Sequence, residues 1–294
     1  METWREKFEN RITTIILSTL AVELLLLVVM IALIYNEMSA KYIFYVFSIV
    51  VLIASTIYFA WHSLIKENAF ELIAFLIMSS ILNFHGIYMA VLHGKPLLFT
   101  AISSLILSVC QLFYYFTFYF AYRKFGWRIV NAIKNTDAKV ITAFKVYETF
   151  ISVIKLDFLL YTLTVATFIY YIAVNWNSFI LGGMVISLIF YAFMISYSIL
   201  GVFGVTKENR CLLFSFLGLL PILAGVKLFL LVAIAAAPGK NIDRFILSQA
   251  IVIAIVDLII ACTMEVLGVI CSQSFGLGLG AILRRNSEVL KTFI

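Results

Sequence analysis

The chain has 294 residues, of which 64% are hydrophobic and 12% charged, and it carries a net charge of +6. Soluble domains are about half apolar and about a quarter charged, so this composition excludes a water-soluble globular fold. The basic residues stand mainly in short connections between apolar runs, which is a pattern of membrane topology, and we expect no nucleic-acid partner.

Eight apolar runs are each long enough to cross a bilayer, which takes about 20 residues in an α-helix. We therefore predict an all-α, polytopic membrane protein with a single transmembrane domain and the lipid bilayer around it. The first run, behind a charged N-terminal segment, is predicted to be a retained signal anchor. The predicted spans are residues 12–35, 42–64, 70–92, 97–122, 147–174, 179–205, 211–237 and 245–272.

The orientation of these spans follows from the basic residues in their connections. If the N-terminus is cytosolic, fifteen lysines and arginines fall on the inner side and four on the outer side. Short cytosolic loops are enriched in Lys and Arg. The sequence therefore predicts that both termini are cytosolic.

The connection between the fourth and fifth spans has a character of its own. Residues 123–134 alternate basic and apolar side chains, which predicts a helix lying in the inner interface. Thr136 is the predicted N-cap of the next helix, with Asp137 in its first turn. Because the helical pattern then continues to residue 174, longer than a bilayer requires, the start of the fifth helix is expected to project into the cytosol.

A tail of residues 273–294 follows the last span. Gly276, Gly278 and Gly280 alternate in it, but a dinucleotide-binding motif would need a strand and a helix of a soluble unit. We predict a hinge that leads to a short surface helix.

Four ionisable residues lie inside the apolar runs: Glu23, Lys227, Asp257 and Glu265. Charges at this depth are costly, so they must face protein or water, and each is a functional-site hypothesis. The seventh and eighth spans are joined by a short loop, which makes them antiparallel neighbours and brings Lys227 and Asp257 to one level. One interpretation is a buried ion pair that fixes helix packing.

The other interpretation starts from the excess of acids over bases in this set. Three carboxyls share one lysine, so at least one carboxyl is expected to be protonated and open to water, as in a proton relay or an ion-coupling site. Asp257 and Glu265 are about 80° apart around a helix and can line one side of a path. Glu265 is the preferred carrier of the extra proton, and Glu23 is the second candidate.

Three further charged residues stand near the start of the fifth span. Lys155 and Asp157 point to nearly opposite faces of a helix, and Glu148 shares a face with Lys155. Because this helix is expected to project inward, all three are predicted at the inner interface, where a lysine can extend its ammonium group to water.

Asn83 and His85 are polar residues in the outer half of the third span. The other histidines, His62 and His93, fall at opposite faces of the membrane, so His85 is expected to be a hydrogen-bonded packing residue and no metal site is predicted. The chain has no recognised catalytic or phosphate-binding motif. We therefore expect no cofactor and no enzymatic activity.

The segment from Phe125 to Leu160 resembles a stretch of uncharacterised polytopic membrane proteins of fungi and protists. In those proteins a Gly-Trp amphipathic helix also leads into a spanning helix marked by Lys-x-Asp. The turn differs, because Lys134 to Asp137 replaces a Gly-containing loop. The resemblance implies no activity, although it draws attention to the Lys-x-Asp. The residues that carry it are Gly126, Trp127, Tyr147, Lys155, Leu156 and Asp157.

These observations predict a multi-pass integral membrane protein that is transporter-like or channel-like, with a charged site at the membrane midplane. The alternative is a structural or assembly subunit of a larger membrane complex, which the short loops would suit. A helical membrane receptor is third, because the outer loops offer little surface to a large ligand. A homo-oligomer or other membrane subunits are the protein partners that would fit.

Overall fold

The computed structural model describes residues 4–35, 43–66, 68–93, 97–133, 138–175, 180–236 and 244–276. Within these ranges the chain forms α-helices and short turns, so the all-α prediction is confirmed for the described residues. The helices are α1 (Trp4–Tyr35), α2 (Ile43–Lys66), α3 (Ala69–His93), α4 (Leu97–Ile133), α5 (Ala138–Asn175), α6 (Ile180–Thr206), α7 (Arg210–Ala236) and α8 (Arg244–Gln273).

Six of these helices are long and apolar enough to cross a membrane, judged by length and composition. The other two, α1 and α2, contain the shorter apolar stretches Thr13–Val29 and Ile49–Leu64. The chain is therefore compatible with an integral multi-pass membrane protein, whereas eight spans and cytosolic termini stay predictions. The six stretches are Ala69–Ile87, Ala101–Tyr122, Lys139–Ala166, Leu188–Thr206, Arg210–Phe229 and Ile251–Gln273.

The boundary after the fourth span differs from the prediction. Residues 123–133 are not a separate helix, because α4 runs without a break from Leu97 to Ile133. Nothing in this segment stops a helix: it has no proline, and its one glycine, Gly126, costs only about 1 kcal/mol relative to alanine. A change from apolar to mixed composition therefore marks a change of surroundings without ending the helix.

The next element agrees with the prediction. α5 covers Ala138–Asn175, close to the predicted helical run that ends at residue 174. The predicted N-cap Thr136, and the tail with Gly278 and Gly280, lie outside the described residues.

The helices divide into two compact units, residues 1–128 and residues 129–294, here called unit 1 and unit 2. In unit 1, α2 and α3 are the most extensively packed pair, and α1 contacts both of them. Asn68 caps α3, because its Oδ1 accepts a hydrogen bond from the backbone N–H of Phe70 at 2.9 Å. The single-domain prediction stays a prediction.

In unit 2, α5 packs against α6, α7 and α8, and α7 packs against α6 and α8. Apolar side chains gain little by leaving lipid for protein, so helix contacts in a membrane depend on close packing. Tyr197 and Phe216 provide it between α6 and α7, where their rings stack at 4.2 Å. Gly204 provides it at the α6–α7 turn, since a Cβ there would lie 2.9 Å from the backbone N of Leu213.

Candidate functional site

Three charged side chains from three helices of unit 2 meet in its interior. Asp157 on α5, Lys227 on α7 and Asp257 on α8 are 3%, 5% and 6% exposed, respectively. Lys227 Nζ donates a hydrogen bond to Asp157 Oδ1 at 2.5 Å and lies 3.7 Å from Asp257 Oδ1. We call these three residues the charged triad.

The predicted contact between Lys227 and Asp257 is therefore present, but it is the weaker of two. At 3.7 Å it is an ion pair without a hydrogen bond of normal length. The stronger partner is Asp157, which had been assigned to a different place.

The sequence predicts Asp157 at the inner interface with Lys155 and does not pair it with Lys227, whereas the structure shows Asp157 buried against Lys227; its depth in a membrane stays a prediction. The prediction put all of the extra length of the fifth helix on the cytosolic side. In the structure Asp157 stands nineteen residues after Ala138, in the middle of the 38-residue α5, level with Lys227. The sequence spacing was informative in one respect: Asp157 is buried while Lys155, two residues away, is half-buried on another side of the helix.

A small cavity adjoins the triad. Its volume is about 20 Å³, which is room for about one water molecule, since one water needs about 10–15 Å³ by this measure. The cavity is therefore far too small for an organic solute. Its lining consists of the triad, Tyr197 and the apolar residues Leu220, Leu223, Ala224, Leu228, Leu258, Ala261 and Met264.

Several buried oxygen atoms near Lys227 have no hydrogen-bond partner among the described residues. They are both carboxyl oxygens of Asp257 and the hydroxyls of Tyr197 and Tyr161. The Tyr161 ring centre lies 5.6 Å from Lys227 Nζ, within the range of a cation–π contact. Lys227 Nζ thus contacts the carboxylate of Asp157 and the ring of Tyr161, while both carboxyl oxygens of Asp257 remain without a described donor.

The other charged candidates of unit 2 do not line the cavity, although Glu265 lies within electrostatic range of Tyr197, which does. Glu265, the preferred proton carrier in the sequence prediction, is half-buried and is not among the residues lining the cavity. Glu148 and Lys155 are also half-buried. The acid that shares Lys227 with Asp157, and so has no base of its own, is therefore Asp257 and not Glu265.

Glu23 belongs to unit 1 and is fully buried, with 0% of its surface exposed. The Tyr114 hydroxyl on α4 donates a hydrogen bond to Glu23 Oε2 at 2.5 Å. Asn83 on α3 is a second polar neighbour of the carboxyl. The sequence grouped Glu23 with Lys227 and Asp257, but its described contacts are to these two residues of its own unit.

The two polar candidates of α3 are both buried, Asn83 at 2% and His85 at 2% exposure. Asn83 Nδ2 donates a hydrogen bond to Gln111 Oε1 on α4 at 2.8 Å. Their predicted place in the outer half of a membrane span stays a prediction.

Sequence reasoning missed the partners of the buried acids. Tyr114 stands within a run of aromatic residues, and such a run gives no sign that the hydroxyl of this one tyrosine faces inward. It also missed the contact between His62 and Glu71. A signal for that pair was available, since both residues flank the short connection between two antiparallel helices.

No protein-family model, curated protein or solved structure matches the chain.

Proposed function

We propose that the protein is a membrane transporter that is coupled to protons through the charged triad. The observation that carries the proposal is Asp257: a carboxyl 6% exposed, without a hydrogen bond from any described residue, and 3.7 Å from a lysine that is already bonded to another aspartate.

The charges of the triad support a proton site. The charges of Lys227 and Asp157 cancel, so a purely structural ion pair would not need a third charged residue. An ionised Asp257 would leave one negative charge uncompensated in the interior, which costs several kcal/mol or more. A proton on Asp257 removes that charge, and its departure to water restores it, so the site has two states that differ by one proton.

The small cavity supports a proton in preference to a larger ion or solute. One water in about 20 Å³ can accept a proton from Asp257 and pass it on. A metal cation would need several oxygen ligands, and Asp157 Oδ1 is already bonded to Lys227. The proposed role requires no catalysis of a covalent reaction.

A structural or assembly subunit is the second candidate. The observation that favours it is the direct hydrogen bond between Lys227 and Asp157, which ties α7 to α5 between two buried side chains. No described contact favours a receptor.

Proton flux across a vesicle membrane tests the proposal. The full-length protein is reconstituted into liposomes that contain a pH-sensitive dye, and a potential is imposed across the membrane. Wild-type vesicles should change their internal pH faster than protein-free vesicles. Asp257→Asn should reduce this flux to the protein-free rate, because an amide cannot take up and release a proton near neutral pH.

The matched control is Glu265→Gln, which removes a carboxyl from the same helix but not from the cavity lining. It should retain the wild-type flux. Wild-type vesicles without any flux would overturn the transport proposal and leave the subunit role. Equal flux in wild type and Asp257→Asn would show that protons cross without the triad.

A further inference from the structure

The fully buried carboxyl of Glu23 is a second acid that has no basic side chain beside it among the described residues. None of the salt bridges among the described side chains involves Glu23. The described titratable groups that face it are Tyr114 and Cys110, both on α4, and both are neutral in their ordinary states. From α3 it meets the amide of Asn83.

The hydroxyl of Tyr114 and the amide of Asn83 are neutral groups, and neutral groups do not cancel a buried negative charge. Tyr114 donates to Oε2, but the buried Glu23 Oε1 has no hydrogen-bond partner in the part of the chain that the structure describes. An ionised carboxylate in these surroundings would carry the full cost of its lost hydration. The neutral acid avoids this cost and still accepts the Tyr114 hydrogen bond on its carbonyl oxygen.

A second, independent observation concerns Asn83. Its Oδ1 is also buried without a donor. Two acceptors that lack donors thus occur on neighbouring side chains. A proton on Glu23 Oε1 supplies a donor beside two atoms that have no hydrogen-bond partner among the described residues.

The orientation of Asn83 is fixed by a row of hydrogen bonds. Ser80 Oγ donates to the backbone oxygen of Leu76 at 2.6 Å, so it accepts from Gln111 Nε2 at 2.8 Å. Gln111 Oε1 must then accept, and Asn83 Nδ2 donates to it at 2.8 Å. One of the two N–H groups of Asn83 is thereby used on Gln111, and its oxygen is left to accept from another donor.

The row ends at an exposed residue. The Tyr115 hydroxyl lies 2.8 Å from Ser80 Oγ, and it donates because the single Ser80 proton is already used. Tyr115 is 49% exposed. The polar groups thus run from the neighbour of Glu23 to the surface of unit 1.

We propose that Glu23 is a proton-binding site, which holds its proton on Oε1 at neutral pH while Tyr114 binds Oε2 and the Asn83–Gln111–Ser80 row positions the acceptor. This site is separate from the triad, shares no residue with it and does not depend on the transport proposal.

Infrared spectroscopy tests the assignment directly. Wild type and Glu23→Gln are compared at neutral pH in a detergent without ester groups, so that lipid carbonyls do not overlap the signal. The difference spectrum should contain the carbonyl band of a protonated carboxylic acid, which shifts to lower frequency in D₂O. Loss of a carboxylate band in its place would overturn the proposal.

The matched control is Glu71→Gln, a second buried glutamate of unit 1 that contacts the basic side chain of His62. The acid band assigned to Glu23 must persist in this variant.

If Glu23→Gln does not fold, Tyr114→Phe decides. The carbonyl of the acid then loses its hydrogen bond, and its band should move to higher frequency. A spectrum without an acid band, or with an unmoved one, would contradict the proposed site.

Discussion

Replacement of Lys227 by methionine should destabilise unit 2 more than any other single change at the triad. The substitution keeps a long apolar stem but removes the only positive charge in contact with Asp157 and Asp257 among the described residues. Removal of one partner from a buried ion pair typically lowers the free energy of unfolding by about 3–5 kcal/mol. All three side chains are less than 10% exposed, so solvent screening does not reduce this expectation.

The two distances predict how this loss divides between the aspartates. At an effective dielectric constant of about 20, unit charges 2.5 Å apart attract by about 7 kcal/mol and charges 3.7 Å apart by about 4.5 kcal/mol, before the cost of desolvation. Only the contact with Asp157 adds a charge-assisted hydrogen bond, worth about 1.5–3 kcal/mol. The coupling of Lys227 to Asp157 should therefore exceed its coupling to Asp257 by at least about 2 kcal/mol.

Two double-mutant cycles measure these couplings. One combines Lys227→Met with Asp157→Asn, the other with Asp257→Asn, and each variant is unfolded reversibly in mixed micelles while its helicity is followed by circular dichroism. Glu265→Gln is the control, and it should change the stability little. Equal couplings, or a larger one for Asp257, would refute the assignment of Asp157 as the main partner of Lys227.

Two further predictions concern packing and the α2–α3 pair. Gly204→Ala should lower the free energy of unfolding by about 1–3 kcal/mol, because the added Cβ would meet the backbone of Leu213. Gly218→Ala is the control, and it should be neutral or stabilising because the space around Gly218 is open. Thermal unfolding of both variants tests this. Glu71→Gln and His62→Ala should show a coupling of about 1.5–3 kcal/mol in a double-mutant cycle, since their side chains are in direct contact, and additive effects would contradict that contact.

The membrane class and most helix boundaries could be predicted from the sequence, because apolar length alone determines them. The fifth helix illustrates this, with a predicted end at residue 174 and an observed end at Asn175. The predicted break after residue 122 was wrong, since composition changes there but the backbone has no reason to leave the α-helix. The amino-acid composition of a segment therefore predicts the surroundings of a helix better than the residue at which the helix ends.

The site was predictable only in part, because depth along a helix does not reveal which helices are neighbours. Lys227 and Asp257 were paired correctly, since a short loop joins their helices. Asp157 lies 70 residues from Lys227 in the chain, and no local pattern connects them. Tyr114 and Glu23 are 91 residues apart in the chain, and only tertiary packing brings them together.

Asp257 and Glu23 present the same physical problem with complementary surroundings. Among the described residues, Asp257 has a cation at 3.7 Å but no hydrogen-bond donor, whereas Glu23 has a donor at 2.5 Å but no cation. A nearby positive charge favours release of a proton, and a neutral donor to the carbonyl oxygen is compatible with its retention. Asp257 also borders a water-sized cavity, while Glu23 is fully buried. Of the two acids, Asp257 is therefore the one suited to repeated proton exchange, and Glu23 is the one suited to hold its proton.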